Sequence, residues 1–233
     1  MYTAQRKEDP MKKTVPLCLL SLVLGAALGL GVGQALPAAL PLQTAAAVLN
    51  IAPTPLPAGA APLDTRDNGP LLEQGQAVLD ALKQSDYAAL AQLAHPELGV
   101  RFTPYSTVDI ESDLVLSPER LAAAGGDSRS YTWGVVDGRG SPLVATIAEY
   151  FASYVFNADY TQAPMIGVDQ VLETGNALEN APDAYPGDRF VDYYFPGLDP
   201  VNEGFDWCSL KLVFREYQGT WRLVGAIHSQ WTI

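Results

Sequence analysis

The last 29 residues, Phe205 to Ile233, constrain the fold more than any other stretch of the chain. β-branched and aromatic residues fill two arms around Gln218-Gly219, and a glycine there reaches the positive φ of a two-residue turn without strain. The stretch predicts a long antiparallel hairpin. If Tyr217 stands opposite Thr220, opposed residues share a face and successive residues alternate between faces. One face then carries Cys208, Leu210, Leu212 and Phe214 against Trp221, Leu223, Gly225, Ile227 and Ser229, with Asp206 opposite Trp231 at the far end. This is the expected core face. The other carries Trp207, Ser209, Lys211, Val213 and Arg215 against Arg222, Val224, Ala226, His228 and Gln230, an amphipathic set suited to water or a partner. A single β-bulge would exchange these assignments beyond it.

The opposite end of the chain is of another kind. No charged residue occurs from Thr14 to Leu63. Val15 to Leu36 follows a basic start and is long enough for a bilayer, so it reads as a signal anchor or a signal peptide. Gly-Gln-Ala before Leu36 is a tolerable cleavage site, but the apolar run exceeds a typical signal core, which favours an uncleaved anchor. The basic flank then stays inside and the remainder crosses the membrane. The prolines interleaved with Ala and Thr after Leu36 make an extended Pro/Ala-rich linker. The expected organisation is therefore a basic cytoplasmic segment at 1–14, the apolar segment at 15–36, the linker at 37–67 and one folded domain at 68–233.

Charge narrows the partners. The chain carries a formal −12, and four of its 14 basic residues (Arg6, Lys7, Lys12, Lys13) but only two of its 26 acidic ones (Glu8, Asp9) precede Leu63. The remaining domain, with 10 basic against 24 acidic residues, repels phosphate backbones, so nucleic acid is set aside. The two cysteines, Cys18 and Cys208, provide no disulfide framework. The core alone must hold the domain.

Within the domain, Asn68-Gly69-Pro70 opens a helix with Leu71, Gly75, Val78, Leu79 and Leu82 at helical spacing. A short helix follows over 85–94 and ends at His95-Pro96. Residues 99–106 predict a strand, Ser117-Pro118-Glu119 a third short helix, and 131–136 a further strand. The longest helix is expected over Pro142–Asn157, capped by Ser141, with Leu143, Ile147, Tyr150, Phe151, Tyr154 and Val155 forming one broad apolar stripe. Strands at 166–173 and 189–196 and the closing hairpin supply the surface beneath it, while 175–188 reads as a loop.

Helices gathered on one face of an antiparallel sheet make an α+β plan. In this order of elements the chain resembles the NTF2-like superfamily, a cone of curved antiparallel sheet covered by helices. The segments HPELGVRFTPYS and IHSQWTI resemble those of uncharacterised secreted or membrane-anchored bacterial proteins of the same group. The resemblance covers about 70–233. It implies a pocket between the long helix and the core face of the sheet, lined by Asp206, Trp231, Tyr105, Tyr150 and Tyr154.

In such a cleft Asp206 beside an indole would have a raised pKa and serve as a general acid or base. No catalytic pair of the enzymatic members matches this sequence residue by residue, and a strand-end Asp capping a backbone amide is the simpler role. Metal and cofactor sites find no support: the two histidines stand far apart, Asp109, Glu111 and Asp113 lack the glycine of an EF-hand loop, and the alternation in DIESD suggests a solvated acidic edge. Neither a G-x-S-x-G nor a phosphate-binding loop is present. Three functions remain: a membrane-tethered extracytoplasmic domain that binds a small apolar ligand, peptide or envelope partner without turnover; an isomerase or lyase using Asp206; and a homodimeric module whose outer sheet face presents Trp207, Val213, Val224 and His228.

Overall fold

The computed structural model describes residues 66–232. The expected cytoplasmic segment, the apolar segment with Cys18 and nearly all of the linker lie outside the described residues. No helix among the described residues is long and apolar enough to cross a membrane.

The helix α1 (Gly69–Lys83) begins at Asn68, where Pro70 occupies the first turn. Proline suits that position because its missing N–H would have had no partner. Leu71, Val78, Leu79 and Leu82 are buried along one side. The helix α2 (Tyr87–Leu93) is capped by Asp86, whose side chain accepts from the Ala89 amide. The strands β1 (Val100–Thr103) and β2 (Leu114–Leu116) pair as an antiparallel arm. Next comes α3 (Pro118–Ala122), capped by Ser117.

The longest expected helix is displaced. Residues 142–146 form a strand, β4 (Pro142–Thr146), paired with β3 (Ser130–Val135) in a separate two-stranded sheet. The helix α4 (Ile147–Tyr150) starts only after it and continues as a π-helical turn over Phe151–Val155. The reason is local: Thr146 and Glu149 form a capping box, with the Thr146 hydroxyl accepting from the Glu149 amide and the Glu149 carboxylate accepting from the Thr146 amide. This satisfies two helix-end donors that Ser141 and Pro142 would have satisfied only in part.

The remaining elements are β5 (Met165–Val168), α5 (Ala181–Ala184), β6 (Arg189–Phe195), β7 (Cys208–Tyr217) and β8 (Thr220–Gln230). The main sheet has six strands in the order β2-β1-β8-β7-β6-β5. It is mixed rather than wholly antiparallel, because β1 runs parallel to β8.

The closing hairpin forms as expected at its turn. Tyr217 pairs with Thr220, and Gln218 and Gly219 both take positive φ, the geometry that matches the twist of two adjoining strands. Pairing runs in register to Phe214 opposite Leu223 and then slips, so that Val213 faces Gly225 and Leu210 faces His228. This bulge moves Gly225, Ile227 and Ser229 off the expected core face and brings Ala226 and His228 onto it, since side chains alternate with a period of two.

Both faces of the sheet are covered. On one, Leu210, Leu212, Phe214, Leu223 and Ala226 pack with Leu71, Leu79, Ile147, Phe151 and Val155 from the helices and with Trp133 from β3. On the other, Val213, Val224 and Ile227 pack with Phe190, Val108 and Ala181 beneath the connection from β5 to β6.

Candidate functional site

Of the five residues expected to line one cavity, the structure brings three together and leaves two elsewhere. Asp206 lies in the turn ahead of β7, where its Oδ2 accepts from the Asp199 amide (2.7 Å) and the Asn202 side-chain amide (2.9 Å). The Asn202 bond holds its carboxyl below the usual range, the reverse of what an acid catalyst needs. Trp231, 42% exposed, packs edge-on against exposed Phe205. Neither residue joins the tyrosines of the interior.

Tyr105, Tyr150 and Tyr154 do form one column. The Tyr150 ring stacks on Trp133, 3.8 Å between centroids at 5°, and on Tyr154 at 5.1 Å; Tyr154 meets the edge of Tyr105 at 5.8 Å. Tyr150 is buried core rather than cavity wall, and its hydroxyl has no hydrogen-bond partner. Because of the bulge, His228 joins this column with its ring edge-on to Tyr154 at 5.8 Å. Its Nε2 is 3.2 Å from Gln230 Oε1, and its Nδ1 is buried without a partner. An amide oxygen only accepts, so Nε2 carries the proton and Nδ1 the lone pair. Full burial lowers the imidazole to a pKa of about 4.

The expected outer interface is covered by the chain itself. Trp207, Val213 and Val224 do lie on the outer side but are 6%, 1% and 6% exposed, and His228 has crossed to the inner side. Beside them Lys211 is fully buried, with its ammonium 2.8 Å from Glu179 and donating to Ser229 at 2.8 Å. A buried ammonium needs such partners. Ser229 comes from β8 and Glu179 from the connection between β5 and β6, within the stretch 175–188 that the sequence predicts as a plain loop.

The site that emerges opens at the Tyr105 end of the aromatic column. The strand β1 stops at Pro104, and the chain folds back through a short loop before β2. Asp109 closes this loop by accepting from the amides of Glu111 (3.0 Å) and Ser112 (3.2 Å) and from the Ser112 hydroxyl (2.6 Å). The Arg101 guanidinium fastens it from below, donating to the carbonyls of Asp109, Ile110 and Asp113. Asp113 is thereby carried inward to 8% exposure. Its Oδ2 accepts from the Thr103 hydroxyl (2.6 Å) and the Asp109 amide (3.0 Å). Its Oδ1 makes no hydrogen bond among the described residues.

Glycine is required opposite that oxygen. Gly134 sits in the irregular part of β3 at φ +129°, and a Cβ there would come within 3.3 Å of Asp113 Oδ1. The result is a pocket of about 160 Å³ whose walls include Tyr105, Pro104 and Val135, with Asp109, Asp113 and Asp137 as its charged groups. Desolvation raises the Asp113 carboxyl to a pKa of about 6, against the opposing pull of Thr103, the Asp109 amide and Arg101. A carboxyl poised there takes or gives a proton near neutrality, and when ionised it attracts a cationic group.

Sequence reasoning treated DIESD as a solvated edge and missed Asp113. One signal was present: Asp113 directly abuts the apolar strand Leu-Val-Leu, so it enters the fold with that strand, whereas Asp109 and Glu111 stay in the turn. The thiol of Cys208 is buried and raised in pKa mainly by desolvation, the state of a packed residue rather than a nucleophile.

No family model and no curated protein sequence matches the chain. Two solved structures align over most of it. One is described as a calcium/calmodulin dependent protein kinase II association domain from Xanthomonas campestris, 11% identical over 74% of this chain and 92% of that one, with a TM-score of 0.32. The other bears the name Rd1NTF2 and is 14% identical over 70% of this chain and 100% of that one, with a TM-score of 0.29. Scores of this size carry no argument about this chain. What stands on the coordinates is an α+β domain with a six-stranded mixed sheet covered on both faces.

Proposed function

We propose that the chain is a membrane-tethered extracytoplasmic domain of NTF2-like type that binds a small ligand without turning it over, in the pocket of Asp113. The reading departs from the expected apolar cavity in two ways. The space beneath α4 holds aromatic rings, so binding belongs at the rim beside Tyr105. The charged groups of the rim are carboxylates, so a ligand with an ammonium group and a small apolar body fits better than a neutral apolar one. The observation that carries this is the unpartnered Oδ1 of Asp113 in a side chain more than nine-tenths buried. That oxygen reaches the pocket with no donor from the described residues on it, so it is open to a donor carried by a ligand.

Benzylamine tests the proposal. Titrated into the full chain at pH 7.5, it is expected to shift the amide resonances of Thr103, Tyr105, Asp113 and Gly134, and Asp113→Asn is expected to abolish the shifts. Absence of shifts, or shifts unchanged in Asp113→Asn, overturns it. The membrane topology is tested separately: on intact cells a membrane-impermeant maleimide is expected to label Ser128→Cys, an exposed position, and protection until lysis would place the domain inside.

A second reading is acid–base catalysis, with Asp113 in place of Asp206. The carboxyl pKa of about 6 beside Tyr105 favours it. Turnover of any amine-bearing carbonyl compound that Asp113→Asn abolishes would decide for it over simple binding.

A further inference from the structure

The outer side of the sheet carries a second pocket, of opposite character to the Asp113 site and joined to it through Arg101. Its volume is about 200 Å³, comparable to a cavity of roughly 150 Å³ that admits benzene. Among the described residues its charged walls are Arg101 and Arg215, and Leu98, Val115 and Val224 are among its apolar ones. The charge of Arg215 is matched, since its Nε and Nη2 each donate to Asp188 at 2.7 Å. Among the described residues Arg101 makes no ion pair; its Nη1 is spent on three backbone carbonyls, and the Asp109 and Asp113 carboxylates act on it only from beyond contact distance.

Above Arg101 stands Tyr185, carried in just after α5. Arg101 pairs with Gly225 between β1 and β8, and the Tyr185 hydroxyl occupies the space a side chain at 225 would take, 2.6 Å from where its Cβ would lie. That hydroxyl is buried and makes no hydrogen bond of good geometry among the described residues, with the Arg101 guanidinium near enough to act on its oxygen. Guanidinium groups only donate, so Arg101 offers the Tyr185 proton no acceptor. A guanidinium outside any close ion pair and a hydroxyl whose proton is unspent thus share one small space with apolar walls. Leu98 and Ile110, 47% and 60% exposed, extend the apolar wall to the mouth.

We infer that this pocket binds a small organic carboxylate, with its carboxylate accepting from Arg101 and the Tyr185 hydroxyl and its apolar body against Val115 and Val224. A single positive charge without a contacting carboxylate suits a monoanion, and the planar guanidinium suits a carboxylate. The apolar walls favour an aryl or short alkyl body over a naked inorganic ion.

Benzoate is the probe, with benzamide as its neutral counterpart. Calorimetric titration of the full chain at pH 7.5 is expected to give saturable benzoate binding at least about tenfold tighter than benzamide, the size of one charge-assisted contact. Tyr185→Phe, which keeps the ring over Gly225, is expected to weaken benzoate about tenfold and leave benzamide nearly unchanged; Arg101→Gln is expected to abolish the preference. No benzoate binding, equal affinity for the two probes, or Tyr185→Phe binding benzoate like the wild type would each overturn the inference. Benzylamine shifts at Asp113 are read in the wild type and in Tyr185→Phe, which leaves the Arg101 contacts to that loop in place, so either site can fail without the other.

Discussion

Glu179 Oε2 lies 2.8 Å from the ammonium of Lys211, and Lys211 is wholly buried within the sheet's outer cover. Asp192 stands directly across the ladder from Lys211 and has one carboxylate oxygen on the Leu172 amide and the other without a partner. The pair therefore fastens the 169–188 connection to β7. Glu179→Ala removes the nearest counter-charge from a buried cation, a change that costs about 3–5 kcal/mol where the remaining charge stays uncompensated. Because Asp192 remains nearby, a loss of about 3 kcal/mol is expected in denaturant unfolding. A loss below about 1 kcal/mol would show that the cover is not held by this contact.

Asp113→Asn is expected to raise stability at pH 7.5 while abolishing amine binding. The folded-state pKa of about 6 lies above the usual 3.8, so the neutral form is favoured in the fold. The stability this brings is present below about pH 4 and is lost as the pH rises to about 6. Allowing for screening through the open pocket, the gain in the variant at pH 7.5 is on the order of 2 kcal/mol. Equal stability of the two proteins from pH 4 to pH 7.5 would argue against a desolvated carboxyl.

His228 works in the opposite direction over the same interval. Its pKa falls from 6.5 to about 4 on burial, so the unfolded chain takes up a proton that the fold refuses. Stability is whole above about pH 6.5 and is lost as the pH drops toward 4, by up to about 3 kcal/mol. In the wild type the two slopes partly cancel. His228→Phe is expected to remove this acid loss, raising stability at pH 4.5 relative to pH 7 compared with the wild type; unfolding curves across that range check it, and an unchanged acid profile would refute it.

Gly225→Ala places a methyl group 2.6 Å from the Tyr185 oxygen and 2.8 Å from its ring carbon. The ring must move, because overpacked sites shift rather than compress. A loss of about 1–3 kcal/mol in thermal or denaturant unfolding is expected. In the double variant with Tyr185→Ala, the added cost of the methyl should vanish; an additive cost would place the strain elsewhere.

Glu149→Ala removes one half of the capping box that starts α4 at Ile147. About 1 kcal/mol of stability is expected to be lost. Ser141→Ala, at the start expected from sequence, should cost less than half of that by the same measurement.

Much of this architecture was legible along the chain. Alternation and the Gln218-Gly219 turn specify the hairpin and its register up to Phe214 opposite Leu223, because those choices depend on residues adjacent in sequence. So do the proline-led start of α1 and the Ser117 cap of α3. The rest depends on contacts between distant segments. Whether β8 bulges after Leu223 is set by its parallel neighbour β1 and by what covers each face, and one bulge exchanges Ile227 for His228 on the helix-covered face. Whether Asp113 is solvated or buried depends on Arg101, Thr103 and Gly134 meeting around it. Lys211 is tolerable inside only because Glu179 returns to it from a segment that reads locally as loop. A period of two records alternation but not which side the rest of the chain will cover, and that side was decided in three dimensions.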